Sequence, residues 1–157
     1  MIDATQMMGM ELAGQGYSRA QIVILGGLWL LGWENPDLVR AMSALSNGAS
    51  CGDLCGALTG GLCLISMHTG KGLEDERPVL GARTLNHALV KWFRQEELKG
   101  KVAPTCAAIF ESAGLTFQDG EMNPAVGCGE LGAHTWIKAI ELLRDSGIDP
   151  TEGRPES

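Results

Sequence analysis

Ser18-Arg19-Ala20-Gln21-Ile22-Val23-Ile24-Leu25-Gly26-Gly27-Leu28-Trp29-Leu30-Leu31-Gly32-Trp33 is the stretch on which the fold turns. Its apolar part, Ile22 to Trp33, has 12 residues, whereas a helix that crosses a bilayer needs about 20. Ser18 supplies a side-chain oxygen for the free N–H groups of a helix start, so a helix is predicted from Arg19 to Trp33. Being apolar on nearly every side, that helix belongs at the centre of a buried core.

Its neighbours follow the same grammar. A short helix is expected over Ala4 to Ala13, and Asn35-Pro36 supplies a cap and a first-turn proline for a third helix running to about Ser46. A fourth should span Leu54 to Thr69 and stop at Gly70. Leu85, Ala88, Leu89, Trp92 and Phe93 repeat at the spacing of one helical face within Leu80 to Leu98. Pro104 then opens a short helix with Cys106, Ile109, Phe110 and Ala113 on one side, ended by Gly114. Leu131 to Ser146 is the last, with Trp136, Ala139, Ile140 and Leu143 inward and Lys138, Glu141 and Arg144 outward. No segment alternates apolar and polar residues as a strand would, so the expected fold is all-α, a compact bundle of about six to seven helices with short connections. The aperiodic stretch Leu115 to Gly127 is read as a long or functional loop.

A chain of 157 residues accommodates one core, expected over residues 1–147, with 148–157 as a flexible tail that has little to bury. Twelve Lys and Arg against 19 Asp and Glu give a net charge of −7, which argues against partners made of nucleic acid or an anionic membrane face. No basic segment precedes an apolar run at Met1-Ile2-Asp3, so no export is expected and a cytoplasmic location is, without membrane insertion. Oligomeric state is not set by composition; a homodimer is compatible with it.

Five cysteines, Cys51, Cys55, Cys63, Cys106 and Cys128, carry the chemistry. In a reducing compartment such residues are metal ligands or redox thiols more often than disulfides. Asp53, or Ser50 with Asp53, is expected to cap the fourth helix, which puts Cys55 in the first turn, where free N–H groups favour a thiolate. Gly56 and Gly60 inside that helix each cost roughly 1 kcal/mol relative to alanine, which points to close approach by another backbone or by a cofactor. Cys63, flanked by Leu62 and Leu64, reads as core packing.

Cys55-Gly56-Ala57-Leu58-Thr59-Gly60, with Cys106 in Pro-Thr-Cys-Ala-Ala-Ile and Cys128 in Gly-Cys-Gly-Glu-Leu, resembles the C_GCAxxG_C_C family of small redox-active proteins. Order and approximate spacing agree over about Tyr17 to Leu143. The family's first cysteine is replaced here by Arg19 in Ser18-Arg19-Ala20-Gln21, and Cys51 is the candidate to take over that position. The resemblance implies a helical, cysteine-dependent redox or metal-binding role.

If Cys51, Cys55, Cys106 and Cys128 converge, four thiolates suit an iron–sulfur cluster or tetrahedral zinc. Separations of 4, 51 and 22 residues do not choose between them. The metal-free alternative is thiol–disulfide exchange, in which Cys55 attacks and Cys51, Cys106 or Cys128 resolves. The expected function is therefore an electron-transfer or thiol-redox component with a protein partner, with a non-catalytic accessory protein of structural thiols as the other class. Facing the cysteines, Arg19 would stabilise thiolates or an anionic cluster. His68 at a helix end suits an imidazolium, His87 reads as an exposed helix residue and His134 as a non-ligand, while Trp29, Trp33, Trp92 and Trp136 read as core.

Overall fold

The computed structural model describes residues 4–117 and 128–155. Among them are seven α-helices and no strand: α1 (Ala4–Gly14), α2 (Arg19–Leu31), α3 (Pro36–Met42), α4 (Gly56–Thr69), α5 (Ala82–Trp92), α6 (Cys106–Ser112) and α7 (Gly129–Asp145). The all-α expectation holds. A 3-10 turn over Ser43–Leu45 follows α3, and a widened turn over Phe93–Glu97 extends α5. No described helix is long and apolar enough to cross a membrane.

Local chemistry sets where the central helix begins and ends. The Ser18 hydroxyl accepts from the Gln21 N–H at 3.4 Å while the Gln21 side chain accepts from the Ser18 N–H at 3.0 Å, a reciprocal cap that satisfies two otherwise free donors. Gly32 turns left-handed at φ 64°, which stops α2 at Leu31, two residues before the expected Trp33. Asn35 accepts from the Leu38 N–H at 3.0 Å and starts α3 at Pro36 as expected.

Buried α2 packs chiefly against α4 and α7. A Cβ on Gly60 of α4 would lie 2.9 Å from the Cα of Ala20, and one on Gly27 would strike Leu64, so α2 and α4 run in the same sense. In the same way Gly132 of α7 faces Arg19 and Gly26 faces Trp136, which makes α7 parallel to α2 as well. The three helices that build the core thus begin at one end of the molecule. Ala20, Val23, Ile24, Leu58, Leu64 and Leu143 fill the space between them, and α5 covers the outer side of α4 through Leu89 and Phe93, the face its periodicity predicted.

Several expectations are corrected. α3 ends at Met42 instead of near Ser46. Trp29 and Trp33 lie outside the core, 69% and 57% exposed, Trp29 on α2 and Trp33 past its Gly32 stop, where the ring meets Gly153. His68 is fully buried, not a solvated imidazolium: burial pulls its pKa below the ordinary range, and the Gly153 backbone and Asp149 carboxylate offset this only in part. The segment 148–155 has more to bury than its composition suggested. Ile148 and Pro150 are buried, and Arg154 donates to the Gly70 carbonyl at 2.8 Å and to that of Arg77. Residues 118–127 of the expected loop lie outside the described residues.

The contact at Gly60 is testable. Gly60→Ala gains about 1 kcal/mol of helix propensity but forces a methyl against backbone atoms of Ala20, an overpacking cost of about 1–3 kcal/mol. Urea denaturation should show a net loss, whereas Gly14→Ala, where nothing lies within 4 Å, should be neutral or slightly stabilising.

Candidate functional site

Three cysteines stand at helix starts: Cys55 immediately before α4, Cys106 as the first residue of α6, and Cys128 immediately before α7. Cys55 and Cys106 are fixed relative to each other by a backbone clamp that links Leu54 to Thr105. In it the Cys55 N–H donates to the Pro104 carbonyl at 3.0 Å and the Cys106 N–H to the Asp53 carbonyl at 2.7 Å. Thr105 then caps α6 by accepting from the Ala108 N–H at 3.3 Å.

This clamp is why α4 starts at Gly56 and not at Leu54, and why neither Ser50 nor Asp53 serves as its cap. Leu54 is extended to pair with Thr105, and Cys55 takes the capping position with φ −54° and ψ 131°. Upstream, Asn47, Gly48, Ala49 and Ser50 all have positive φ, a left-handed turn stabilised by the Asp53 N–H donating to the Gly48 carbonyl at 3.0 Å. Cys51 ends up exposed on that turn, its thiol donating to the Gly48 carbonyl at 3.3 Å.

Electrostatics show which side chains share a site. Cys55 is 5% exposed, and burial pushes its thiol up to about 11, with the charges of Cys128 and Cys106 acting in the same direction and the N–H groups of Ala57 and Leu58 opposing. Burial, and then the charge of Cys128, pushes Cys106 up to about 11 as well. Cys128 is raised by burial but pulled back down by the Arg19 guanidinium. Cys55, Cys106, Cys128 and Arg19 therefore form one set of interacting groups, and Cys51 stands outside it.

The helix-end argument for an acidic Cys55 fails on magnitude. A helix terminus contributes about 0.3–1 kcal/mol at an exposed site, less than the roughly 1.4 kcal/mol that moves a pKa by one. Burial of the sulfur outweighs it, and of the three thiols Cys128 is the one with a cation beside it. Arg19 stands near Cys128: its Cδ lies 3.8 Å from where a Cβ on Gly132 would stand, one turn into α7 from Cys128.

Gly56 and Gly60, considered for a cofactor, are accounted for by packing. Gly60 meets Ala20 and Val23, and Gly56 faces the Leu45 carbonyl and the Ala20 backbone. Cys63 is partly buried against the core. His87 is exposed, and Nδ1 of His134 pairs with Glu97 at 2.9 Å. Among the described residues no group of three or more His, Cys, Asp or Glu side chains is arranged to hold a metal ion. Sequence reasoning missed the Leu54–Thr105 clamp, for which Thr105 ahead of Cys106 was the one local sign.

A family model described as "Putative redox-active protein (C_GCAxxG_C_C)" matches residues 17–142, and the chain belongs to that family. No curated protein and no solved structure matches the chain.

The raised thiols carry a sign that can be checked. A group held above its unfolded pKa contributes stability that is present below the unfolded value, about 8.5 for a thiol, and is lost as pH rises through the folded one. Thermal stability should fall between about pH 9 and 11, and Cys55→Ala should flatten that fall. Alkylation followed by peptide mapping at pH 7.5 should label exposed Cys51 first and Cys55 last.

Proposed function

We propose that the chain is a thiol-based redox protein in which Cys128 and Cys106 cycle between dithiol and disulfide while Cys55 supports them from the buried side. The observation that carries this reading is that the charge of Cys128 acts on both Cys55 and Cys106 while Arg19, packed one turn into α7 at Gly132, acts on Cys128. Thiolate, not thiol, is the nucleophile, so the sulfur with the cation attacks. In the first step the Cys128 thiolate attacks a disulfide of the partner, forming a mixed disulfide and releasing one partner thiolate. Cys106, losing its proton to solvent, then attacks the Cys128 sulfur and releases the second. Two protein thiols are oxidised to one disulfide and one partner disulfide is reduced to two thiols, so electrons and protons balance. Run in reverse, the same pair oxidises a dithiol.

A resident iron–sulfur cluster or zinc ion fits this set of residues less well, because the expected fourth ligand, Cys51, is directed into its own turn. Inert structural thiols would leave the unpaired Arg19 near Cys128 without a purpose.

Titration of free thiols before and after treatment with an excess of a small disulfide should show two thiols lost together, and peptide mapping should place the bond between Cys106 and Cys128. Cys128→Ser should abolish its formation, and the rate should rise about tenfold per pH unit from pH 6 to 8, following the thiolate fraction. Iron or zinc retained by protein purified without oxygen, with iron matched by acid-labile sulfide in the cluster case, would replace this reading by the metal one. Persistence of all five free thiols would leave the accessory-protein reading.

A further inference from the structure

Arg19 offers more hydrogen-bond donors than stabilising one thiolate requires. The ion pairs among the described residues are Arg40–Asp37, His134–Glu97, Lys138–Glu141 and Arg154–Glu76, and Arg19 takes part in none of them. Its Nε is buried from solvent and has no hydrogen-bond partner. A guanidinium presents five donors in a planar fork matched to carboxylate and related oxyanions, and leaving such donors unpaired away from water is costly. Its Cδ lies 3.8 Å from where a Cβ on Gly132 would stand, one turn into α7 from Cys128, and its charge acts on the Cys128 thiol. A guanidinium with an unpaired Nε and no ion pair among the described residues therefore stands near the sulfur that reacts, and three parallel helices, α2, α4 and α7, turn their positive ends toward the same region.

We infer that Arg19 is the specificity residue of the thiol site and selects disulfides that carry a carboxylate or sulfonate close to the S–S bond. This inference rests on the thiol–disulfide reading above. The guanidinium holds the anionic group of the incoming disulfide, the Cys128 thiolate attacks the sulfur nearest that group, and the second half departs as a thiolate that takes a proton from solvent. Nothing else in the composition favours such a ligand. A chain with net charge −7 repels anionic reagents at long range, so a preference for them identifies a local cation.

The test is the rate at which the reduced full chain reacts with three small disulfides, cationic cystamine, neutral bis(2-hydroxyethyl) disulfide and anionic 3,3′-dithiodipropionate. Each rate is divided by that of a neutral model thiol to remove intrinsic reactivity. The expected result is an anionic-over-neutral ratio of about tenfold or more at low salt, shrinking as ionic strength rises. Arg19→Lys should keep much of the ratio and Arg19→Gln should bring it to one or below. The salt titration of the unmutated chain keeps the inference testable should Arg19→Gln fail to fold. A ratio at or below one in the unmutated chain overturns the inference, as does an equal slowing of all three disulfides in Arg19→Gln, which would confine Arg19 to the ionisation of Cys128. Failure of the chain to react with any of the three rejects the thiol reading itself, a result distinguishable from loss of charge preference.

Discussion

The approach of α2 to α4 at Ala20 and Gly60 is the constraint from which the rest of the molecule follows. With only a hydrogen on Gly60, the two backbones come close enough that a methyl there would stand 2.9 Å from the Ala20 Cα. Arg19 is the residue before Ala20, and Cys55 is the residue before Gly56, which faces the Ala20 backbone and the Leu45 carbonyl. Close packing of two helices thus sets the separation between a cation and a thiol. The family motif's glycines act on the chemistry indirectly, by fixing how near α2 stands.

Because α2, α4 and α7 run in the same sense, their N-termini share one end of the molecule, and so do the residues that begin them. Parallel neighbours need connections that travel back along the bundle, which here are supplied by α3 and the left-handed turn between α2 and α4, and by α5 and α6 between α4 and α7. An up-and-down arrangement would have dispersed Cys55 and Cys128 to opposite ends. The clamp between Leu54 and Thr105 then adds Cys106 to the group, with α6 packed against the turn over Gly48–Gly52 and reaching the core through Ile109.

What the sequence made legible is what neighbouring residues determine. The Ser18 cap, the Asn35-Pro36 start, the inward face of α5 and the helix-start position of Cys106 all depend on contacts within a few residues. The start of α4 did not follow, since the residue that holds Leu54 extended is Thr105, 51 positions away. The exposure of Trp29 escaped for a similar reason, since α2 is apolar all round and its pattern cannot say which side lacks a neighbour, and Trp33 lies past the Gly32 stop. The packing of 148–155 rests on two apolar residues, Ile148 and Pro150, and on Arg154 reaching carbonyls more than 70 residues away, and no local pattern records either.

The acidity of the thiols shows the same division at the level of chemistry. Position at a helix start is local and was read for Cys106; the depth of each sulfur is a property of the whole packing and, at Cys55, reverses the conclusion drawn from position. At Cys55 the donors of Ala57 and Leu58 are present and oriented to favour the thiolate, yet enclosure by α2, α4 and the clamp removes the solvent that would stabilise the charge. The three thiols are not equivalent, since the charge of Cys128 opposes ionisation of both Cys55 and Cys106, and that of Cys106 opposes ionisation of Cys55. A single fixed cation adds to that inequality. Arg19 offsets part of the burial penalty at Cys128, and the proposed sequence of attack and resolution needs such an inequality more than it needs any one strongly acidic thiol.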